Sequence, residues 1–438
     1  MGLLEIAIAV SLAGDIAGAA KPGCTWTTKA IPRIPASQLS VEQFVRDFVR
    51  PGLPLIIEAP LDKPWSFQSV VQRCFPDAQI PVAVREAAAA GDRWARLNFI
   101  GSKPLSEFTE YMRAGDEAGP SARPIYGFDL NLAHECPMLL ESFAVPKYFS
   151  ECALQRHYVH ATNATGLESA LGRRAFSWPS MMMGEKGTRS ELHYDQAGLP
   201  FWMAVLRGRK LFRMLPFAYN LPLAGDFISP DGKWPMHRTG NGERTTDLFA
   251  NEILPEYFGG SSYRFDAFGP LDGDWTQAPD FDAFPRLCEA VVSEAEVGPG
   301  DYVFIPTGAP HGAVNLENTI AITSNYFSPD DDAASLAWFK RKCASVDHGG
   351  LPFPLHICAA LLGPTGAVPW DERPPRTYFE IAGFAGVAEW CAFQSARLAE
   401  YAPAARGDAR MVRNFVAFCA PHIAAPADSA REDLQAEL

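Results

Sequence analysis

The chain has 438 residues, of which 47% are hydrophobic and 20% charged. That is globular composition with enough apolar material for a large core, and it excludes a disordered or low-complexity chain. A net charge of −13 repels phosphate backbones, which argues against general nucleic-acid binding and for a basic protein or peptide partner.

Residues 1–30 form an apolar leader. The stretch "MGLLEIAIAVSLAGDIAGAAKPG" has the apolar run and small-residue end of a signal peptide. It lacks a basic start, and Glu5 and Asp15 interrupt it. It is too short and too charged for a transmembrane span. Two readings stay open. A packed helix leaves the protein cytoplasmic or nuclear; a signal peptide sends it to the endoplasmic reticulum lumen. The nine cysteines are scattered, odd in number and without a C-x-x-C pair. They are predicted to be free thiols of a reducing compartment. "NAT" at Asn163 is a lone sequon.

Residues 31–125 read as helices and strands packing on a core. Ser40 is predicted to cap a helix with Val41, Phe44, Val45 and Phe48 on one face, stopped by Pro51-Gly52. Leu55 to Ile57 read as a buried strand. "SFQSVVQRCF" and "LSEFTEYMRAG" read as short helices, "ARPIYGFD" as a strand, and "LLESFAVPKYF" as a helix ending near Pro146. From about 175 to 330 the pattern turns to strands: "FSWPSMMMG", "SELHYD", "FWMAVLRG", "KLFRMLP", "AVVSEAEVGPGDYVFIP", "HGAVNLEN" and "TIAITSNYF". "GPGD" at 298–301 predicts a type II turn. Residues 220–287 lack a period and read as an insertion between two strands. Helical patterns return in the C-terminal extension, 331–438, in "SLAWFKRKCASV", "LHICAALLG" and "VAEWCAFQSARLAEYA". The expected fold is mainly β with helical additions (α+β), built on a jelly-roll or barrel core.

The chemistry concentrates in "SELHYDQAGLPFWMAVLRGRK". Residues i and i+2 of a strand share a face, so His193 and Asp195 can reach one point. "PTGAPHGAVN" delivers His311 just after a strand end and turn. Two histidines and a carboxylate are the facial set that holds non-haem Fe(II) with open positions. Alone, H-x-D is a weak signal, equally read as a polar strand end before a turn. Lys210 after the Gly208 turn, and the apolar strand leading to His311, strengthen the metal reading.

These segments resemble the jumonji-C oxygenases of the cupin-like superfamily. The resemblance is nearest to the small hydroxylase branch that includes the bifunctional arginine demethylase and lysyl-hydroxylase. It runs from about Ile31 to Phe327. It is carried by "IPRIPASQLSVEQFVRDFVRPGLPLII", "PIYGFDLNLAHECPMLLESFAVPKYF", the H-x-D segment with Lys210, and "GDYVFIPTGAPHGAVNLENTIAITSNYF". It implies a double-stranded β-helix catalytic domain over 126–330. It implies iron ligands His193, Asp195 and His311. It also implies 2-oxoglutarate contacts from Ser190, Lys210, Asn315 and Thr323, with Tyr126 and Asn325 as further members. Read physically, a distal carboxylate needs a cation and hydroxyls, which Lys210 with Ser190 or Thr323 supplies.

Two departures stand out. Met203 occupies a position where the family often has asparagine, and Ala309-Pro310 replace the aromatic pair before the last histidine. The implied activity is Fe(II)-, 2-oxoglutarate- and O2-dependent hydroxylation of a protein side chain. The alternatives are demethylation of N-methylated lysine or arginine, hydroxylation of an RNA base, an idle cupin-like binding protein, and a cupin that uses a different metal. His157 and His160 in "HYVH" form a weaker metal candidate with no carboxylate partner. "FKRKC" around Lys340 reads as a solvated helix face, and Trp202, Trp234 and Trp275 as core or loop anchors.

Overall fold

The computed structural model describes residues 25–85, 95–156, 179–220, 285–336, 368–405 and 409–423, apart from single or few positions at 62, 96, 120, 122, 196–198 and 334, with 261–262, 267–268 and Phe281 besides. The leader, the "HYVH" histidines, most of the 220–287 insertion, Asn163, Trp234, Trp275, "FKRKC" and "LHICAALLG" lie outside the described residues.

Seventeen strands are described: β1 (Thr27–Ala30), β2 (Arg33–Pro35), β3 (Leu55–Glu58), β4 (Gln79–Arg85), β5 (Leu97–Pro104), β6 (Tyr126–Asn131), β7 (Ala144–Val145), β8 (Ser180–Gly184), β9 (Arg189–Tyr194), β10 (Phe201–Arg207), β11 (Lys210–Met214), β12 (Ser261–Ser262), β13 (Val291–Val297), β14 (Asp301–Ile305), β15 (His311–Asn315), β16 (Thr319–Asn325) and β17 (Arg376–Thr377). They make a six-stranded sheet in the order β1-β13-β11-β15-β9-β12. A nine-stranded sheet follows the order β2-β3-β14-β10-β16-β8-β6-β4-β5, and β7 pairs with β17. The pairs β1–β13 and β2–β3 are parallel, and the other pairs are antiparallel.

Alternation along the strands sorts side chains between three layers. In β11, Phe212 and Met214 join the cluster between the sheets, while Leu211 joins a separate cluster on the outer face of the smaller sheet. The inner cluster also holds Met182, Phe201, Met203, Val303, Ala313 and Ala321. On its outer face the larger sheet buries Trp202, Ala204, Phe304 and Ile322 against helices. This is a two-sheet jelly roll with helical additions.

The first helix begins where its cap predicts. Ser40 Oγ accepts from the Gln43 amide at 3.0 Å and starts α1 (Val41–Phe44). The chain then widens into a π-turn over Val45–Val49 and stops at Gly52, whose φ is +70°. Ser66 and Ser69 form a reciprocal capping box on α2 (Phe67–Val71). α3 (Leu105–Ala118) follows β5. α4 (Leu132–Glu135) and α5 (Pro137–Ser142) are short. The helix expected to run to Pro146 ends instead at Ser142, and β7 follows. α6 (Phe217–Asn220), α7 (Tyr378–Ile381), α8 (Val387–Ala405) and α9 (Ala409–Cys419) complete the set. The 298–301 turn forms with Gly300 at φ +94° and the Asp301 amide donating to the Gly298 carbonyl at 3.0 Å.

The free-thiol reading is overturned. Cys74 is bonded to Cys136, and Cys391 to Cys419; Cys288 is also in a disulfide, whereas Cys152 is a buried free thiol. The bonded partners lie 62 and 28 residues apart. Such pairs form because the turn after α2 meets the end of α4, where the Phe75 amide donates to the Glu135 carbonyl at 2.9 Å, and because α8 packs beside α9, which sequence spacing does not disclose. Among the described residues no helix is long and apolar enough to cross a membrane.

Candidate metal centre and the pocket beside it

β9 and β15 run side by side, with His193 directly opposite His311. Between these residues and the Ser190–Ala313 pair, β9 holds one residue more than β15. This bulge puts Ser190, three residues from His193, opposite an inward-facing residue. Arg85 on β4 reaches Glu191 in the bulge at 2.5 Å, an ion pair between the two sheets. Asp195 follows the end of β9. The ligand atoms of His193, Asp195 and His311 lie within 4.8 Å of one another, and all three residues are buried. Asp195 Oδ1 is 3.4 Å from His193 Nε2 and 3.8 Å from His311 Nε2.

The surroundings prepare these groups as ligands. His193 Nδ1 lies 2.6 Å from the Glu191 carbonyl, and His311 Nδ1 2.9 Å from the Ala309 carbonyl. A proton on each Nδ1 makes those bonds and leaves Nε2 as the donor lone pair. Burial, with His193 beside it, pushes the His311 imidazole down to about 4, so it stays neutral at ordinary pH. Burial alone would raise the Asp195 carboxyl, but His311, His193 and Asn325 together hold it below its usual range. Asn325 Nδ2 donates to Asp195 Oδ2 at 2.8 Å. Asn325 thus fixes the orientation of the Asp195 carboxylate. Two imidazoles anchored through Nδ1 and an oriented carboxylate fit a divalent metal of the non-haem iron type.

Deeper between the sheets the other candidate residues separate. Lys210 is 1% exposed and faces Asn315 across the β11–β15 ladder. Its Nζ donates to the Tyr126 hydroxyl at 3.4 Å. Among the described residues no carboxylate pairs with Lys210, and burial pushes it down to about 7. A buried ammonium with one weak partner suits an anionic ligand. Asn315 Nδ2 donates to Thr188 Oγ1 at 2.6 Å, and its buried Oδ1 has no hydrogen-bond partner. Gly184 makes this possible, since a Cβ there would stand 1.9 Å from Asn315 Nδ2. The Thr323 hydroxyl donates to the Trp202 carbonyl at 2.8 Å, so it offers a lone pair to the pocket and no proton. Met203 pairs with Thr323 and Val303 and sits in the apolar inner cluster. Sequence reasoning missed Thr188 and Gly184, which hold Asn315, and Glu191. Only the odd spacing of S-x-x-H, which in a regular strand would put Ser190 and His193 on opposite faces, hinted at the bulge.

A two-sheet jelly roll that brings two histidines and a carboxylate together across adjacent strands defines the class: a cupin-like fold with a candidate metal site. The chain belongs to the cupin-like domain family, which matches residues 41–332. It is 26% identical over 303 residues to the protein named arginine-specific demethylase JMJ22 of Arabidopsis thaliana, covering 69% of this chain and 47% of that one. It is 24% identical over 331 residues to the bifunctional arginine demethylase and lysyl-hydroxylase psr-1 of Caenorhabditis elegans, covering 71% and 64%. A third relative, the 2-oxoglutarate and iron-dependent oxygenase JMJD4 of Gallus gallus, is 22% identical over 316 residues, covering 69% and 61%. The matched regions therefore span about half to under two thirds of these relatives' lengths. The resemblance to the small jumonji-C branch agrees with these matches.

Proposed function

We propose that the chain is an Fe(II)- and 2-oxoglutarate-dependent oxygenase that hydroxylates a side chain of a protein or peptide. The observation that carries this reading is the pairing of a buried His193–Asp195–His311 ligand set with a buried Lys210, without a carboxylate partner among the described residues, at the other end of the adjacent strand β11. Iron, with 2-oxoglutarate and dioxygen as co-substrates, supplies the oxidising power for C–H hydroxylation and leaves succinate and carbon dioxide. His193, Asp195 and His311 would hold the metal. Asn325 keeps Asp195 oriented. Lys210 pairs with the distal carboxylate, with Tyr126 beside it, while Ser190 and Asn315 border the same space. The apolar wall of Phe201, Met203 and Met182 keeps water from the reacting carbon.

The names of the relatives, arginine demethylase and lysyl-hydroxylase, favour a basic side chain as the target. The charge of −13 favours a basic partner in the same way. Demethylation is the same hydroxylation on an N-methyl carbon, and the name of the plant relative supports it as the second outcome. The intact ligand set argues against an idle binding protein, and Lys210 argues against a cupin that uses another metal for isomerisation. The disulfides favour an oxidising compartment such as the endoplasmic reticulum lumen over the cytoplasm or nucleus.

The test is incubation of the Fe(II)-loaded protein with 2-oxoglutarate and cell-extract peptides under air. Succinate should form only with both iron and 2-oxoglutarate, and mass spectrometry should find peptides heavier by one oxygen or lighter by one methyl group. No iron-dependent succinate would remove the reading.

A further inference from the structure

The turn from β8 into β9, residues 184–188, is tied to several neighbours. Glu185 is buried, and its carboxylate accepts from the Tyr111 hydroxyl and, at 2.5 Å, from the Ser121 amide. The Lys186 amide donates to Asn318 Oδ1 at 2.8 Å. The Gly187 amide donates to the Asn315 carbonyl at 2.8 Å, and the Asn315 amide to the Thr188 carbonyl at 2.9 Å. A Cβ on Gly184 would stand 1.9 Å from Asn315 Nδ2, 2.6 Å from Thr188 Oγ1 and 3.0 Å from Tyr126 Cδ2. One absent side chain thus lets β15, the turn and β6 meet.

Within this frame a single hydroxyl sets the direction of the Asn315 side-chain amide. Thr188 Oγ1 donates to the Glu185 carbonyl at 2.6 Å, which spends its proton. Toward Asn315 it can therefore only accept, and Asn315 Nδ2 donates to it at 2.6 Å. A reversed amide would set Oδ1 against an oxygen lone pair at that distance. Oδ1 is turned the other way, buried and without a hydrogen-bond partner. A buried acceptor is costly to leave unpaired, and it repels a carboxylate rather than binding one. The residue directly across the β11–β15 ladder is Lys210, with Cβ atoms about 5 Å apart. The Lys210 ammonium has three protons to give, and one goes to the Tyr126 hydroxyl at 3.4 Å. An unpaired acceptor and a donor with protons to spare thus lie on neighbouring strands of one buried face.

We propose that Thr188 and Asn315 are positioning residues for Lys210: Thr188 fixes the direction of the Asn315 amide, and Asn315 Oδ1 takes one proton of the ammonium while another meets the distal carboxylate of 2-oxoglutarate. This assignment rests on the oxygenase reading above. It gives Asn315 no contact of its own with the co-substrate, and it adds Thr188, which touches neither metal nor co-substrate, to the residues that set co-substrate affinity.

The experiment uses the full chain loaded with Mn(II). Binding of 2-oxoglutarate is compared with that of 2-oxobutyrate, which has the same keto-acid end and no distal carboxylate. Both are read by Mn(II)-enhanced relaxation of the ligand's protons, which also reports weak binding. Thr188→Val keeps the shape and removes the hydroxyl. It should weaken 2-oxoglutarate by about tenfold and leave 2-oxobutyrate as in wild type, while Thr188→Ser restores wild-type binding. Asn315→Leu should show the same selective loss, and serves if Thr188→Val does not fold. On a Lys210→Met background neither change should weaken 2-oxoglutarate further, because both act through the lysine. A loss that persists on that background means direct contact and overturns the proposal. So does an equal loss for both ligands, or no loss in a folded variant. If wild type does not bind 2-oxoglutarate at all, the oxygenase reading falls and takes the proposal with it; if it binds and the variants are indifferent, the proposal alone falls.

Discussion

Lys210 should take up a proton when 2-oxoglutarate binds. Burial pushes the folded amine from 10.5 to about 7, and no carboxylate pairs with it among the described residues. In the unfolded chain the same lysine keeps its proton to about 10.4. Between about pH 7 and pH 10 the unfolded state thus binds more protons, so the stability of the ligand-free protein should rise with pH through that window. At and below pH 7 the full penalty applies. At about 1.4 kcal/mol per pH unit, the gap from 10.5 to about 7 corresponds to roughly 5 kcal/mol. Lys210→Met removes the charge and should make the ligand-free protein more stable at pH 6.5 by some kcal/mol, with the difference shrinking toward pH 10. A bound dicarboxylate reverses the preference, because the ammonium gains its counter-ion. At pH 8 wild type should therefore take up most of one proton on binding 2-oxoglutarate. Calorimetry in two buffers of different ionisation enthalpy measures this directly. Lys210→Met should show no uptake and bind 2-oxoglutarate about tenfold to a hundredfold more weakly. A wild type whose binding enthalpy is the same in both buffers would refute the argument, as would a Lys210→Met protein no more stable than wild type at pH 6.5.

The remaining predictions concern the ligands and the frame. His193→Ala or Asp195→Ala should abolish iron-dependent succinate formation while circular dichroism stays as in wild type; retained turnover in either would sink the triad. Asn325→Leu should weaken metal binding by roughly tenfold to a hundredfold, read by competition with a chelating dye, because Asp195 loses its donor at 2.8 Å. Replacing Cys74 and Cys136 by serine should cost about 2–4 kcal/mol in urea unfolding, since their bond closes a loop of 62 residues; an unchanged midpoint would show that the pair is not bonded in solution.

What the sequence disclosed follows from what is local. The strands β8 to β11 and β13 to β16 are read as short apolar runs bounded by turn residues, and most of them are buried on both faces. Ser40 marks a helix start for the same reason: a cap is a contact between residues three apart. His193 and Asp195 share a strand end, so their spacing alone suggests a common target. The strand β4 escaped notice. Its "QIPVAVR" carries Pro81 in the middle, which normally argues against a strand with neighbours on both sides. The disulfides, the Arg85–Glu191 link and the role of Asn325 all depend on residues brought together by the sheets. No spacing rule reports them.

Met203 shows how the local and tertiary readings combine. From sequence it is a lost polar contact to the co-substrate, or else a residue facing the target. In the fold its strand neighbours are Thr323 and Val303, and its companions in the cluster are Phe201, Met182, Phe212 and Met214. Thr323 spends its proton on the Trp202 carbonyl, so this wall presents no donor to an anion. The donors are at the other end, on Lys210, with the Tyr126 hydroxyl beside it. Polarity is thus segregated between the sheets, with Lys210 at one end of the β11–β15 ladder, the His193–Asp195–His311 set at the other and an apolar wall between. A dicarboxylate bound with one end on Lys210 and the other at the ligand set would lie against that wall through its methylene carbons. That arrangement needs apolar bulk more than an amide. A methionine, unbranched and polarisable, fills the wall at little cost in fit.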